Sequence, residues 1–371
     1  MGKMKAGLIG CGMISEIYLK NAIERFGNID MVAVANRSPG PAQKRAEQFN
    51  LQACSVDELL DHSDIQVVMN LTPPDQHFPV SMRILQAGKH VYSEKPLAVT
   101  FDEGQKLLTY AKEHDLHVGC APDTFLGGGL QTCRKLIDEG AIGEPFSGQA
   151  LMLSCGPEHF HPNPEFFYQP GAGPILDWGP YYVSALIALL GPVKRVGSVG
   201  KIVFSERTVE AQDSPRYGET FKVEVPTTVT SILEFAQGTA VNLTMSFDMP
   251  FLHHQADLPY IRLYGKKGNL TLPDVNTFGG PIYLREGAEK AREIDVSSGF
   301  TENCRGMGLS DMIYAIQEGK SYRANGEFAL HTLEVMLKIL ESAEVGEFRD
   351  LETTCERPKP LPENMPDYLY T

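Results

Sequence analysis

Short, almost continuous apolar runs alternate with helix-like patterns along the first third of the chain. Residues 6–9, 29–35, 65–71, 90–93 and 117–121 read as strands, and an opening helix begins near Met13. Further helices are expected over 39–49, 75–87 and 101–114. Strands that are apolar on both faces and separated by helices belong to a parallel sheet covered on both sides. A ligand of such a sheet sits at the carboxyl ends of its strands. This half closes near Ala121-Pro122, which divides the chain into domains 1–122 and 123–371.

From Asp123 the pattern changes. A helix at 130–139 leads to a strand at 146–154, then to a loop over 156–173 rich in proline, histidine and aromatic residues. An apolar helix follows from about 177 to 190. Strand-like runs occupy 193–204, 221–225, 227–235, 239–247, 261–265 and 269–272, and helices at 308–318 and 327–344 precede a proline-rich tail. Consecutive strands followed by helices describe an α+β domain with a large, mostly antiparallel open sheet.

Charge narrows the choice of partner. The 371 residues carry a net charge of −14, from 33 basic and 47 acidic side chains. That balance argues against nucleic acid and against an anionic membrane surface. A buried anionic cofactor needs only local donors and is unaffected by it. No apolar run approaches the length of a membrane span, and the first residues show no secretory pattern. Seven cysteines, odd in number and without a CxxC pair, read as reduced thiols of a cytoplasmic protein.

The sharpest local signal is Gly7-Leu8-Ile9-Gly10-Cys11-Gly12-Met13-Ile14-Ser15, a strand, a glycine turn and a helix start. In a dinucleotide-binding turn the first glycine permits the bend. The second lets the backbone approach the pyrophosphate, which rests on the helix N-terminus. Gly10, Cys11, Gly12, Met13 and Ile14 are therefore expected to hold a nicotinamide dinucleotide. The third small position is Ser15, a departure from the usual glycine or alanine.

Other strand ends add to this site. Asn36, Arg37 and Ser38 follow the second strand, where a carboxylate binds the ribose hydroxyls of NAD and an arginine accommodates the 2′-phosphate of NADP. A carboxylate is missing at Asn36, and a guanidinium grips phosphate through charge-assisted hydrogen bonds, so NADP is preferred over NAD. Thr72, Pro73 and His77 follow the strand at 65–71 and border the nicotinamide half; Asp75 and His77 serve either the cofactor or only the helix start. Ser93-Glu94-Lys95-Pro96 places a carboxylate and a lysine at the exit of a buried strand, and the motif admits a cis Lys95–Pro96 bond.

Glycine turn, Glu94-Lys95-Pro96 and Gly171-Ala172-Gly173-Pro174-Ile175-Leu176-Asp177-Trp178-Gly179-Pro180-Tyr181 occur in that order. The chain resembles the glucose–fructose oxidoreductase, inositol dehydrogenase and rhizopine catabolism (Gfo/Idh/MocA) family over its whole length. The resemblance implies an α/β fold, with an N-terminal Rossmann domain and a C-terminal domain carrying an open sheet. It also implies hydride transfer between a nicotinamide cofactor and a hydroxyl carbon of a sugar, cyclitol or glycoside. The family's active-site lysine maps onto Lys95 and its aspartate onto Asp177. Its final histidine is replaced by Tyr181.

A tyrosine base at pH 7 needs help of about 3 pKa units, roughly 4 kcal/mol. A neighbouring ammonium and a cationic nicotinamide both favour phenolate. Tyr181 is thus expected as acid/base, Lys95 as its electrostatic partner and substrate donor, and Asp177 as a positioning group on the same helical face. Tyr182 is the competitor for that role. Asp123 and Thr124 suit neutral polyol hydroxyls, and His159 and His161 supply further polar groups for a sugar pocket. His253-His254 either reach the site or cap a sheet loop. Trp178 reads as core, and no metal is expected, because His159 and His161 lack further ligands. Two alternatives stand beside the dehydrogenase: a redox-neutral NAD-dependent glycosidase and a non-catalytic NAD(P)-binding regulator. By analogy with the family the chain pairs as a homodimer or homotetramer through its open sheet, with 227–235 and 239–247 providing the face.

Overall fold

A computed structural model describes residues 2–250, 260–297 and 299–362. The opening apolar run forms β1 (Met4–Ile9), followed by α1 (Ser15–Glu24), β2 (Ile29–Ala35), α2 (Pro39–Phe49), β3 (Gln52–Cys54) and α3 (Val56–Asp61). Then come β4 (Val67–Asn70), α4 (Pro74–Gln86), β5 (His90–Ser93), α5 (Phe101–Glu113) and β6 (Val118–Cys120). The six strands pair in parallel in the order β3-β2-β1-β4-β5-β6. Strand order reverses between β1 and β4, which is where a doubly wound sheet opens a crevice for a dinucleotide.

The pair β3 and α3 lies between two of the expected elements. Its signature was a capping box: the Ser55 hydroxyl accepts from the Glu58 N–H at 3.2 Å, and the Glu58 carboxylate accepts from the Ser55 N–H at 2.8 Å. Three strand residues are too few for an apolar period to show.

The next elements are α6 (Gly128–Asp138), β7 (Pro145–Leu153), α7 (Gly173–Asp177), α8 (Gly179–Leu190), β8 (Val193–Lys201), β9 (Glu206–Thr208) and β10 (Thr220–Lys222). They continue with β11 (Thr228–Phe235), β12 (Ala240–Ser246), β13 (Ile261–Gly265), β14 (Gly268–Thr271), β15 (Ile282–Glu286) and β16 (Arg292–Ile294). Helices α9 (Met307–Glu318) and α10 (Gly326–Val345) and the short β17 (Arg349–Asp350) complete the described elements. A nine-stranded sheet runs β16-β15-β14-β13-β7-β12-β11-β8-β17 among the described residues. Its neighbours are antiparallel except β7 and β12. Along β11 the period of two is plain: Val229, Ser231, Leu233 and Phe235 are buried, whereas Thr230 and Ile232 are exposed.

The apolar helix expected over 177–190 is interrupted. Pro180 has no N–H to give and its ring clashes with the carbonyl four residues back, so the chain ends α7 at Asp177 and restarts α8 at Gly179.

Packing divides the chain into two units. One holds residues up to Gly127, Phe300–Leu333 and the stretch from Pro358; the other holds Gly128–Gly299 and Glu334–Arg357. The return to the first unit was not foreseen. Its reason is the edge of β6, where the Cys120 N–H donates to the Ala324 carbonyl at 3.1 Å and Gly119 forms an isolated bridge with Asn325. An edge strand covered in this way no longer offers a row of open backbone groups.

Candidate active site

The glycine turn shows why each glycine is there. Gly10 has φ +104°, and a Cβ on it would lie 2.5 Å from the Leu71 carbonyl carbon and oxygen. No side chain fits. A Cβ on Gly12 would meet nothing within 4 Å, so this glycine faces the open side of the turn, where a pyrophosphate needs close approach. Met13 beside it is 87% exposed, and α1 begins at Ser15 with Ile14 as an N-cap that supplies no side-chain hydrogen bond. An uncapped N-terminus under a glycine cradle suits a dinucleotide phosphate.

Ser15 occupies the third small position because a second residue serves it. Its buried hydroxyl donates to the Gly12 carbonyl at 2.5 Å and accepts from Arg45 Nε at 3.0 Å. The Arg45 guanidinium also reaches the Gly12 carbonyl at 3.3 Å and pairs with Glu16 at 2.7 Å. Arg45 escaped the sequence reading, although the serine in a glycine's place was its signal.

At the end of β2, the Asn36 carboxamide is committed to structure. Its oxygen accepts from the Cys11 N–H at 3.2 Å and its nitrogen donates to the Ser38 carbonyl and hydroxyl at 3.2 Å each. Asn36 therefore ties the glycine turn to the strand end. Arg37 and Ser38 are exposed beside it. Cys11 is buried, which pushes its thiol up to about 11 and leaves it a packing group.

The exits of β4 and β5 are wired together from below. The buried Asn70 accepts from the Thr72 hydroxyl at 2.6 Å and donates to the His77 carbonyl at 3.0 Å and the Ser81 hydroxyl at 2.9 Å. Pro73 is the exposed N-cap of α4, and Asp75 is a first-turn acid. His77 is 1% exposed, with ring nitrogens 2.6 Å from the Pro96 carbonyl and 2.8 Å from the Thr72 carbonyl. Glu94 accepts from the Tyr18 hydroxyl at 2.6 Å and from the Lys95 N–H at 2.9 Å, which fixes the turn that carries Lys95. Tyr18, buried against that carboxylate, has its phenol pushed well above its ordinary range by burial. Lys95 is half-buried, and the Lys95–Pro96 bond is cis.

Asp123 and Thr124 lie inside the fold. The Asp123 side chain is buried and accepts from the Gly306 and Gly308 N–H groups, at 2.8 and 3.0 Å, at the start of α9. Its Oδ2 thus caps the start of α9. Burial pushes its carboxyl above the usual range. Thr124 is 1% exposed and equally enclosed.

In the second unit, α8 separates the two tyrosines. Eleven of its twelve residues are buried, and Tyr181 is the exception. Tyr182 is core, its hydroxyl donating to the Leu151 carbonyl at 3.0 Å. Asp177 closes α7 and is half-buried, as is Trp178, whose ring centroid lies 6.2 Å from that of Tyr181. His159 Nδ1 lies 2.8 Å from Glu210, at a cavity of about 560 Å³ that Glu158, Arg207 and Asp248 also line. His161 accepts from the Asn163 N–H at 3.1 Å and packs edge-on to Phe166 and Phe167. His253 and His254 lie outside the described residues.

Two family descriptions match this chain: "Oxidoreductase family, NAD-binding Rossmann fold" over residues 4–121 and "GFO/IDH/MocA C-terminal domain" over 130–271. The chain belongs to the Gfo/Idh/MocA family. Residues 4–121 are accordingly an NAD(P)-binding Rossmann fold. Among relatives of this Gfo/Idh/MocA chain, inositol 2-dehydrogenase of Salmonella typhimurium is 28% identical over 43% of this chain and 49% of its own length. A dTDP-3,4-didehydro-2,6-dideoxy-alpha-D-glucose 3-reductase of Streptomyces violaceoruber is 29% identical over 72% of each chain. The match spans about half the length of the first curated relatives. A solved structure of levoglucosan dehydrogenase with NADH and L-sorbose superposes with TM-score 0.80 at 20% identity, over 95% of this chain and all of that one. Among the described residues no helix is long and apolar enough to cross a membrane.

Proposed function

We propose that this protein is an NAD(P)-dependent dehydrogenase or reductase that moves hydride to or from a hydroxyl-bearing carbon of a sugar, cyclitol or glycoside. The observation that carries the reading is the placement of Lys95. It stands at the carboxyl end of β5, in the same parallel sheet whose β1 feeds the glycine turn. A bound nicotinamide ring supplies the hydride acceptor or donor. Tyr181 then takes or returns the hydroxyl proton, because it is the residue of α8 left unburied. The Lys95 ammonium favours the phenolate and donates to the substrate oxygen, and Asp177 orients the pair. The names of the inositol and deoxysugar relatives support a polyol or sugar as substrate.

NADP is the preferred cofactor, with NAD the other candidate. Arg37 and Ser38 are exposed at the end of β2 with no carboxylate at Asn36 to repel a 2′-phosphate. Residues 1–122 serve the cofactor and 123–371 the substrate and a homodimeric or homotetrameric contact. The exposed row of Thr230 and Ile232 on β11 supports that contact. The test is a screen of sugars, cyclitols and glycosides with NADPH and NADH, on wild type and Arg37→Ala. Tenfold tighter NADPH binding, about 1.4 kcal/mol, that vanishes in the variant supports the cofactor choice. Glycoside cleavage without net cofactor turnover identifies a redox-neutral glycosidase instead, and cofactor binding with no turnover identifies a regulator.

A further inference from the structure

His77 touches two turns at once. Its Nδ1 meets the carbonyl of Pro96, the residue after Lys95, and its Nε2 meets the carbonyl of Thr72, at the exit of β4. Both partners accept and neither donates, so each contact requires an N–H on the ring. The imidazolium satisfies both carbonyls, and a neutral ring satisfies one. Burial, the largest influence, holds the ring's pKa below its ordinary value with the Lys95 ammonium on the same side, against the Pro96 and Thr72 carbonyls and the Glu94 carboxylate, which favour the proton. Asn70 grips the same turn from the other side, through the Thr72 hydroxyl and N–H and the His77 carbonyl. The β4 exit is thereby rigid, and His77 extends that rigidity across to β5.

We propose that His77 is a positioning residue with two separable duties: through the Pro96 carbonyl it sets the height of Lys95, and through the Thr72 carbonyl it shapes the cofactor-side turn. The first duty rests on Lys95 being the active-site lysine. Neither duty requires His77 to meet a ligand.

Two amide replacements separate the contacts. The asparagine amide nitrogen occupies the place of Nδ1, and the glutamine amide nitrogen that of Nε2. His77→Asn therefore keeps the bond to Pro96 and loses the one to Thr72, and His77→Gln does the reverse. The experiment uses the full chain and measures thermal midpoint, NADPH and NADH dissociation constants, and kcat on a substrate found active. His77→Asn is expected to keep kcat within about threefold while cofactor binding weakens about tenfold. His77→Gln is expected to bind cofactor as wild type does and to lose at least tenfold in kcat. Equal losses in both variants, tracking the thermal midpoint, would overturn the proposal, as would no change in either. Should both variants fail to fold, imidazole ¹⁵N spectra of the wild type decide. A protonated Nδ1 supports the Pro96 bond, and a bare Nδ1 overturns it. A wild type inactive on every substrate overturns the dehydrogenase reading and the Lys95 duty, and leaves the cofactor half of the split measurable.

Discussion

The glycine turn of the first unit and the α7–α8 junction of the second build their surfaces by opposite means. The turn is made of backbone, where Gly10 is required by its positive φ and its close approach to Leu71 and Gly12 faces open space. The junction is made of side chains on an apolar helix, where one residue in twelve is left facing out. Backbone surfaces tolerate little substitution, whereas side-chain surfaces change chemistry by exchanging one residue.

Tyr181 and Tyr182 give the largest test of that contrast. Tyr181→Phe keeps the ring and removes the proton donor, and kcat is expected to fall by about 10²–10⁴. Tyr182→Phe loses the bond to the Leu151 carbonyl, which is expected to cost about 1 kcal/mol of stability and to leave turnover unchanged. Steady-state rates and melting curves of the two variants would separate them. Equal kinetic losses would break the distinction.

Gly10 and Gly12 sharpen it next. Gly10→Ala forces a methyl against the Leu71 carbonyl at positive φ, and roughly 3 kcal/mol of stability is expected to go. Gly12→Ala finds open space, so its melting point should hold while cofactor affinity drops tenfold or more. Fluorescence titration with NADPH and a thermal scan would check both.

Acid gives the smallest effect. Burial holds the His90 imidazole down to about 4 from 6.5, and its Nδ1 accepts from the His117 N–H at 3.2 Å. The unfolded chain binds that proton near pH 6.5 and the folded chain only near 4, so stability falls as pH drops through this window. With partial solvent access the loss is about 1–2 kcal/mol. Melting points between pH 7 and 4.5 should converge on those of His90→Gln, which lacks the titration.

Much of the first unit was legible because its rules act over a few neighbouring residues. Alternating apolar runs placed the strands, and Gly10, Gly12 and Lys95 announced the turns at their ends. Arg45, Asn70 and Tyr18 were not legible, because each acts on a residue brought near only by the folded sheet. The structural partners of Asp123 and His77 were hidden for the same reason. A carboxylate or an imidazole at a strand exit looks like a ligand-binding group, and only the α9 N-terminus or the Pro96 carbonyl shows what it serves. The break after Asp177 was written in Pro180, but the apolar run through it outweighed the signal.

The stitching of Ala324 and Asn325 onto β6 also orders events during synthesis. Tyr322 bonds the Val118 carbonyl across 204 residues of chain. At common translation speeds those residues take about 10–40 s to make. For that interval β6 is a bare edge and the Asp123 carboxylate has no helix to cap. The nascent first unit therefore waits for its last segments while the second is being made. In that wait, the edge that Ala324 later closes offers the open backbone groups of any bare edge strand.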